Sequence, residues 1–143
     1  MTTTYSADIA KNAELHRFIT DFYKVSDVKP PAENDPYLDY FVESATVIMA
    51  SNKFEGSNAI AGMRHGMWTY VTKRHHVALN VATVVEDKDY LINGYVDYTL
   101  TNGKELRSEW AAFARFSSED KSKMEFYQVY LDPTKMKEAL TEN

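Results

Sequence analysis

Cysteine is absent from the 143-residue sequence. That one absence excludes a disulfide framework, a thiolate nucleophile, a zinc finger and an iron–sulfur site. Positive charge is also in short supply: 16 Lys and Arg face 21 Asp and Glu, a formal charge of −5. Uniform attraction to a phosphate backbone is therefore missing, and nucleic-acid binding would need a local basic patch. The run Lys73-Arg74-His75-His76 is too short for that on an acidic chain. Nor do the two histidines have metal spacing, because neighbours on a strand point to opposite faces. Long apolar stretches are missing too. Ala45 to Ala50 is far too short to span a bilayer, and Met1 to Asp8 has no basic-then-apolar leader pattern. Asn80 and Asn93 lack the following Ser or Thr of a glycosylation acceptor. The expectation is a cytoplasmic protein with no membrane or nucleic-acid partner.

What is present is 44% apolar, 26% charged and 13% aromatic residues, the composition of one globular domain across 1–143. Ser6 reads as a helix cap, followed by Leu15, Phe18, Ile19, Phe22 and Val25 or Ser26 at three- and four-residue steps. Lys29-Pro30-Pro31 stops that helix. Asp35-Pro36 starts a second, carrying Tyr37, Leu38, Tyr40 and Phe41. Ala45 to Ala50 reads as a buried strand and Phe54-Glu-Gly56 as a turn. Ser57 opens a third helix with Ile60, Met63, Met67 and Val71 as its buried stripe. From His75 the period becomes two. Strands are expected over His75 to Glu86, Tyr90 to Thr101, Lys104 to Phe116 and Met124 to Leu131, with a primed turn at Asn102-Gly103. Pro133 opens a short last helix to Leu140. Helices gathered against an antiparallel sheet make the class α+β.

The segments Phe41-Val-Glu-Ser-Ala-Thr-Val, Phe54-Glu-Gly-Ser-Asn-Ala-Ile60 and Trp110-Ala-Ala-Phe-Ala-Arg-Phe116, in this order of elements, resemble the nuclear transport factor 2-like superfamily, specifically its SnoaL-like branch. Ketosteroid isomerases, scytalone dehydratase and polyketide cyclases belong to that group. The resemblance runs from about His16 to Leu131. It implies a cystatin-like α+β barrel: a cone-shaped curved antiparallel sheet wrapped around three N-terminal helices, with an apolar pocket at the wide end and frequent homodimers. From the residues alone, the odd positions of the strand from His75 are apolar and the even ones small or polar. The resemblance turns the even face toward the pocket.

Resemblance also selects the candidates. His76 is similar in position to a pocket histidine of the dehydratase, and an imidazole there can move a proton near neutral pH; the other reading is a strand-end histidine bonded to a neighbour. Tyr23 matches a pocket tyrosine, as a substrate hydrogen-bond donor or as core. His16 lies two helical turns earlier on the same face. Trp110 offers a stacking wall, or plain core, and shares a strand face with Ser108 and Leu106. Tyr40, Trp68, Met49 and Asn80 complete the expected ligand-binding set. Glu109 is expected to pair outward with an arginine, and Asp97 and Asp39 are remote candidates for a pocket carboxylate.

The sequence also departs from these relatives. The dehydratase aspartate beside its tyrosine becomes Lys24, its second histidine falls at Asn102, its strand tyrosine at Ser51, and its serine and asparagine at Trp110 and Ala112. The isomerase's basic aspartate falls at Met49 and its oxyanion acid near Ala112, so neither of those two reactions is expected. Two functions remain. One is a cofactor-independent lyase, isomerase or cyclase acting on a small hydrophobic, oxygenated ring compound through His76 and Tyr23, with no metal. The other is a binding or interaction module using the same cone without chemistry.

Overall fold

The computed structural model describes residues 2–85 and 87–141. The first long helix, α1 (Ala13–Ser26), is capped by Asn12, whose side chain accepts the Leu15 N–H at 3.0 Å. Ser6 instead precedes a 3-10 turn, Ala7–Ile9, and its hydroxyl donates to Asp8. α1 buries Leu15, Ile19, Phe22, Tyr23 and Ser26. Asp35 caps the next segment through the Tyr37 N–H, but Pro36–Tyr40 winds as a 3-10 helix and Phe41 already belongs to strand β2. A short N-terminal strand, β1 (Thr4–Tyr5), precedes all of these.

β2 (Phe41–Met49) folds back on β3 (Asn52–Glu55) through Ala50, which takes a positive φ of 55°. The expected turn at Phe54-Glu-Gly56 is therefore strand up to Glu55. Gly56, at φ 85°, is the residue before helix α2 (Ser57–Gly66), and the Ser57 hydroxyl reaches Glu43 O instead of capping. Val71 leaves the helix stripe and opens β4 (Val71–Val85); Glu86, expected to end that strand, lies outside the described residues. β5 (Asp89–Leu100), β6 (Glu105–Phe116), β7 (Met124–Leu131) and helix α3 (Thr134–Thr141) follow. At the β5–β6 turn only Gly103 has positive φ, while the Asn102 side chain accepts the Lys104 N–H. That side-chain turn replaces the expected primed type, which needs two positive φ values.

The strands form one curved sheet of seven in the order β1-β4-β5-β6-β7-β2-β3. It is mixed, since β1 pairs β4 and β2 pairs β7 in parallel. The helices and curved sheet make the expected α+β cone, with α1 running across its hollow. Phe22 sits at the centre, in ring contact with Tyr23, Tyr37, Phe41 and Tyr127.

The two faces of β4 exchange partway along. Arg74 and Ala78 are buried on the even side, but the pairing with β5 shifts between Ala78 and Asn80, and Val81 then takes the inner side. Gly94 stands opposite Ala78, where a Cβ would lie 1.9 Å from the Val77 carbonyl oxygen. Only glycine fits so close an approach of two backbones. The bulge turns Asn80 outward, where its amide donates to Asn93. The even face thus borders the hollow only as far as Ala78.

Candidate active site

α1 ends at Asp27, on the last turn before the Pro30-Pro31 break. A carboxylate at a helix C-terminus opposes the helix dipole, so something must hold it there. Both Asp27 oxygens accept the backbone N–H of His76, each at 3.0 Å, and Oδ1 lies 2.6 Å from His76 Nδ1. A carboxylate can only accept from the ring, so Nδ1 carries the proton and Nε2 presents a lone pair. Among the described residues no partner takes Nε2. Burial lowers the His76 pKa from its usual value and outweighs the opposing pull of Asp27; Arg74 and His75 lower it further. The imidazole is neutral at neutral pH: a base already oriented.

His76 lines a cavity of about 40 Å³ with Met49, Arg74, Ser108, Trp110 and Tyr127 among its walls. That volume holds a few water-sized groups, not a ring. The rings of Tyr23 and Trp110 stand 5.5 and 5.9 Å from the imidazole. Beyond Arg74 and Tyr98, which border both spaces, lies an outer groove of about 740 Å³ that also touches Asp27 and Trp68. That is ample for a small ring compound.

Polar groups here are mostly donors. Arg74 is 8% exposed, Ser108 7% and Trp110 5%. The Trp110 Nε1 and Arg74 Nε groups are buried without a hydrogen-bond partner. The second buried arginine, Arg64, behaves differently. It forms an ion pair with Asp35 at 3.3 Å, too poorly aligned for a hydrogen bond, and donates to the carbonyls of Val25, Ser26 and Val28 at the end of α1. It thereby supplies positive charge where the helix dipole is negative.

Tyr23 does not reach the cavity as a free donor. Its hydroxyl is 2.9 Å from that of Tyr127, and burial raises the pKa of both phenols, so the pair stays neutral. Tyr127 is the member that borders the cavity. His16 is turned away, stacked on Tyr5 at 3.7 Å with Nε2 against the Ile9 carbonyl. Tyr40 packs edge-on to Phe18 and borders a different groove, while Asn80 points from the outer face of the sheet. Trp68 faces the outer groove, and Met49, Ser108 and Trp110 line the cavity. The outer arginines take aspartates: Arg107 holds Asp97 at 2.7 Å and Arg115 holds Asp89 at 2.9 Å. Asp97, so held, lines the outer groove but not the small cavity, and Asp39 and Glu109 are exposed. Asp27, Arg74, Tyr127 and Arg64 were not among the sequence candidates. The signal for Asp27 was its position, an acid at a helix end that disfavours one.

No family model matches the chain, and no curated protein matches it. Solved structures do. An NTF2-like protein of unknown function from Exiguobacterium sp. 255-15 is 13% identical with a TM-score of 0.69, covering 80% of this chain and 98% of that one. A protein named as a SnoaL-like polyketide cyclase from Jannaschia sp. CCS1 is 10% identical, TM-score 0.70, covering 91% and 93%. An epoxide hydrolase/cyclase-like enzyme of pyran ring formation in the polyether salinomycin is 14% identical, TM-score 0.67, covering 87% and 95%. These likenesses show the fold alone: it is the NTF2-like fold.

Proposed function

We propose that the chain is a cofactor-independent acid–base enzyme, a lyase, isomerase or cyclase, acting on a small oxygenated ring compound. One observation carries the reading: Asp27 fixes the proton of His76 on Nδ1 and leaves Nε2 unpartnered beside a cavity. A neutral imidazole so held takes a proton from a C–H or O–H at the cavity mouth and returns it elsewhere on the substrate, while Asp27 stabilises the imidazolium in between. The low dielectric of the interior strengthens each of these bonds. The neighbour that forms pyran rings supports a cyclic, oxygen-bearing substrate. The cavity supplies the reacting end and the outer groove the ring.

A second reading, a binding module without turnover, is favoured by the small cavity, which admits a head group only. The experiment that separates them is exchange of the acidic C–H of ring ketones in D2O, followed by proton NMR. Exchange above buffer that is lost in His76→Gln supports the enzyme. Binding with no exchange above buffer supports the module, and exchange unchanged in His76→Gln removes His76 from the chemistry.

We also propose a homodimer through the outer sheet face, where Leu91 and Tyr130 are about half exposed at 48% and 53%. Light scattering is expected to give twice the chain mass. Among the described residues no helix is long and apolar enough to cross a membrane.

A further inference from the structure

Arg74 is a buried cation that lacks an anion. Among the described residues no carboxylate lies within ion-pairing distance of it, and its one hydrogen bond goes from Nη2 to the Met67 carbonyl at 2.9 Å. Asp27, the carboxylate whose charge acts on Arg74, is already engaged by His76. The guanidinium is held between the faces of Trp68 and Tyr98, 5.0 and 5.2 Å from their centroids. Stacking of that kind positions the fork and offsets part of the lost hydration, but an aromatic face does not replace a counter-charge. Arg64, in this same protein, has the acidic partner that Arg74 lacks, Asp35, and donates to three carbonyls, although its Nε makes no hydrogen bond either.

The unpartnered groups converge. Arg74, Ser108 and Trp110 line the same small cavity, and both Arg74 Nε and Trp110 Nε1 are buried donors without acceptors. The Ser108 hydroxyl has no partner among the described residues either. Only His76 Nε2 and the hydroxyls can accept on these walls. A cavity of about 40 Å³ fits a group the size of a carboxylate, and the groove of about 740 Å³ beyond Arg74 fits the body attached to it.

We propose that Arg74, Ser108 and Trp110 form an anion subsite, and that the ligand is a ring compound bearing a carboxylate held by this fork and indole. The proposal rests on the reading above for the ring and adds its head group. A planar guanidinium suits a planar carboxylate better than a point charge would. The carboxylate also supplies the missing counter-charge, with its ring in the outer groove beyond Arg74.

The test is nitrogen-15 NMR of the full chain titrated with benzoate and, separately, with its neutral analogue benzamide. Benzoate is expected to shift the Trp110 indole and Arg74 Nε signals saturably and to bind about tenfold more tightly than benzamide. Arg74→Met is expected to abolish the preference, and Arg74→Lys to weaken benzoate while retaining some preference for it. Equal binding of the two probes, failure of benzoate to move either signal, or an undiminished preference in Arg74→Met or Arg74→Lys would overturn the subsite. If benzoate binds the native chain as expected while that chain shows no proton exchange on ring ketones, the acid–base reading falls and the anion subsite stands.

Discussion

The carboxylate of Asp27 accepts both the backbone N–H and the ring Nδ1–H of His76, a residue 49 positions further along the chain. A single acid thus ties the end of α1 to β4 and selects one tautomer of one imidazole. Structure and chemistry share the contact.

Because burial lowers the His76 pKa, its protonation favours the unfolded chain. The unfolded histidine takes its proton near pH 6.5 and the folded one only below that. The stability contribution is therefore present above about pH 6.5 and lost as pH falls toward the folded value. Urea midpoints measured across pH 4 to 8 are expected to fall on the acid side, and less steeply in His76→Gln. Asp27→Asn removes the two influences that raise the pKa, so the His76 titration followed by NMR moves further down. A shift upward would contradict the assignment.

The phenol pair gives a cycle. Removing one hydroxyl, by Tyr23→Phe or Tyr127→Phe, leaves the other buried without its partner and is expected to cost about 1–3 kcal/mol. The double variant is expected to be less destabilised than either single one, since it removes the orphan as well. Denaturant unfolding of all four proteins reads this directly. Only the variants lacking the Tyr127 hydroxyl, which borders the cavity, are expected to alter ligand binding.

Arg64→Met strips the buried ion pair and the cap of α1 at once. Asp35, itself 7% exposed, is left without its cation, and the expected loss is about 3–5 kcal/mol. Adding Asp35→Asn to Arg64→Met is expected to recover part of it. Urea unfolding of the single and double variants provides the comparison.

Gly94→Ala forces a methyl into the Val77 carbonyl, 1.9 Å away, and that oxygen belongs to paired backbone that cannot swing aside. The bulge must open to relieve it, at an expected cost of about 1–3 kcal/mol. Hydrogen exchange at the β4–β5 amides near Ala78 is expected to speed up, with the far end of the hairpin unaffected.

Much of the frame was legible. The three-four spacing from Leu15 to Phe22 is α1, and the alternation in β6 set Ser108 and Trp110 inward because that strand keeps its register from Glu105 to Arg115. The bulge in β4 was not legible from alternation, which assumes constant parity; Gly94, on the facing strand, was the available mark. β3 was missed because Asn-Lys-Phe-Glu is short and mostly polar, and β1 because two residues carry no period. His76 was selected by resemblance, yet its partner could not be, since the curvature that brings Asp27 to β4 is a property of the whole sheet. Arg74 was set aside with its basic neighbours, although strand parity already placed it beside His76 on one face.

The most direct measurement is the nitrogen-15 chemical shift of each His76 ring nitrogen in the full chain at neutral pH. A protonated, pyrrole-type Nδ1 with an unprotonated, pyridine-type Nε2 is the predicted result. The reverse tautomer, or an imidazolium with both nitrogens protonated, would contradict it.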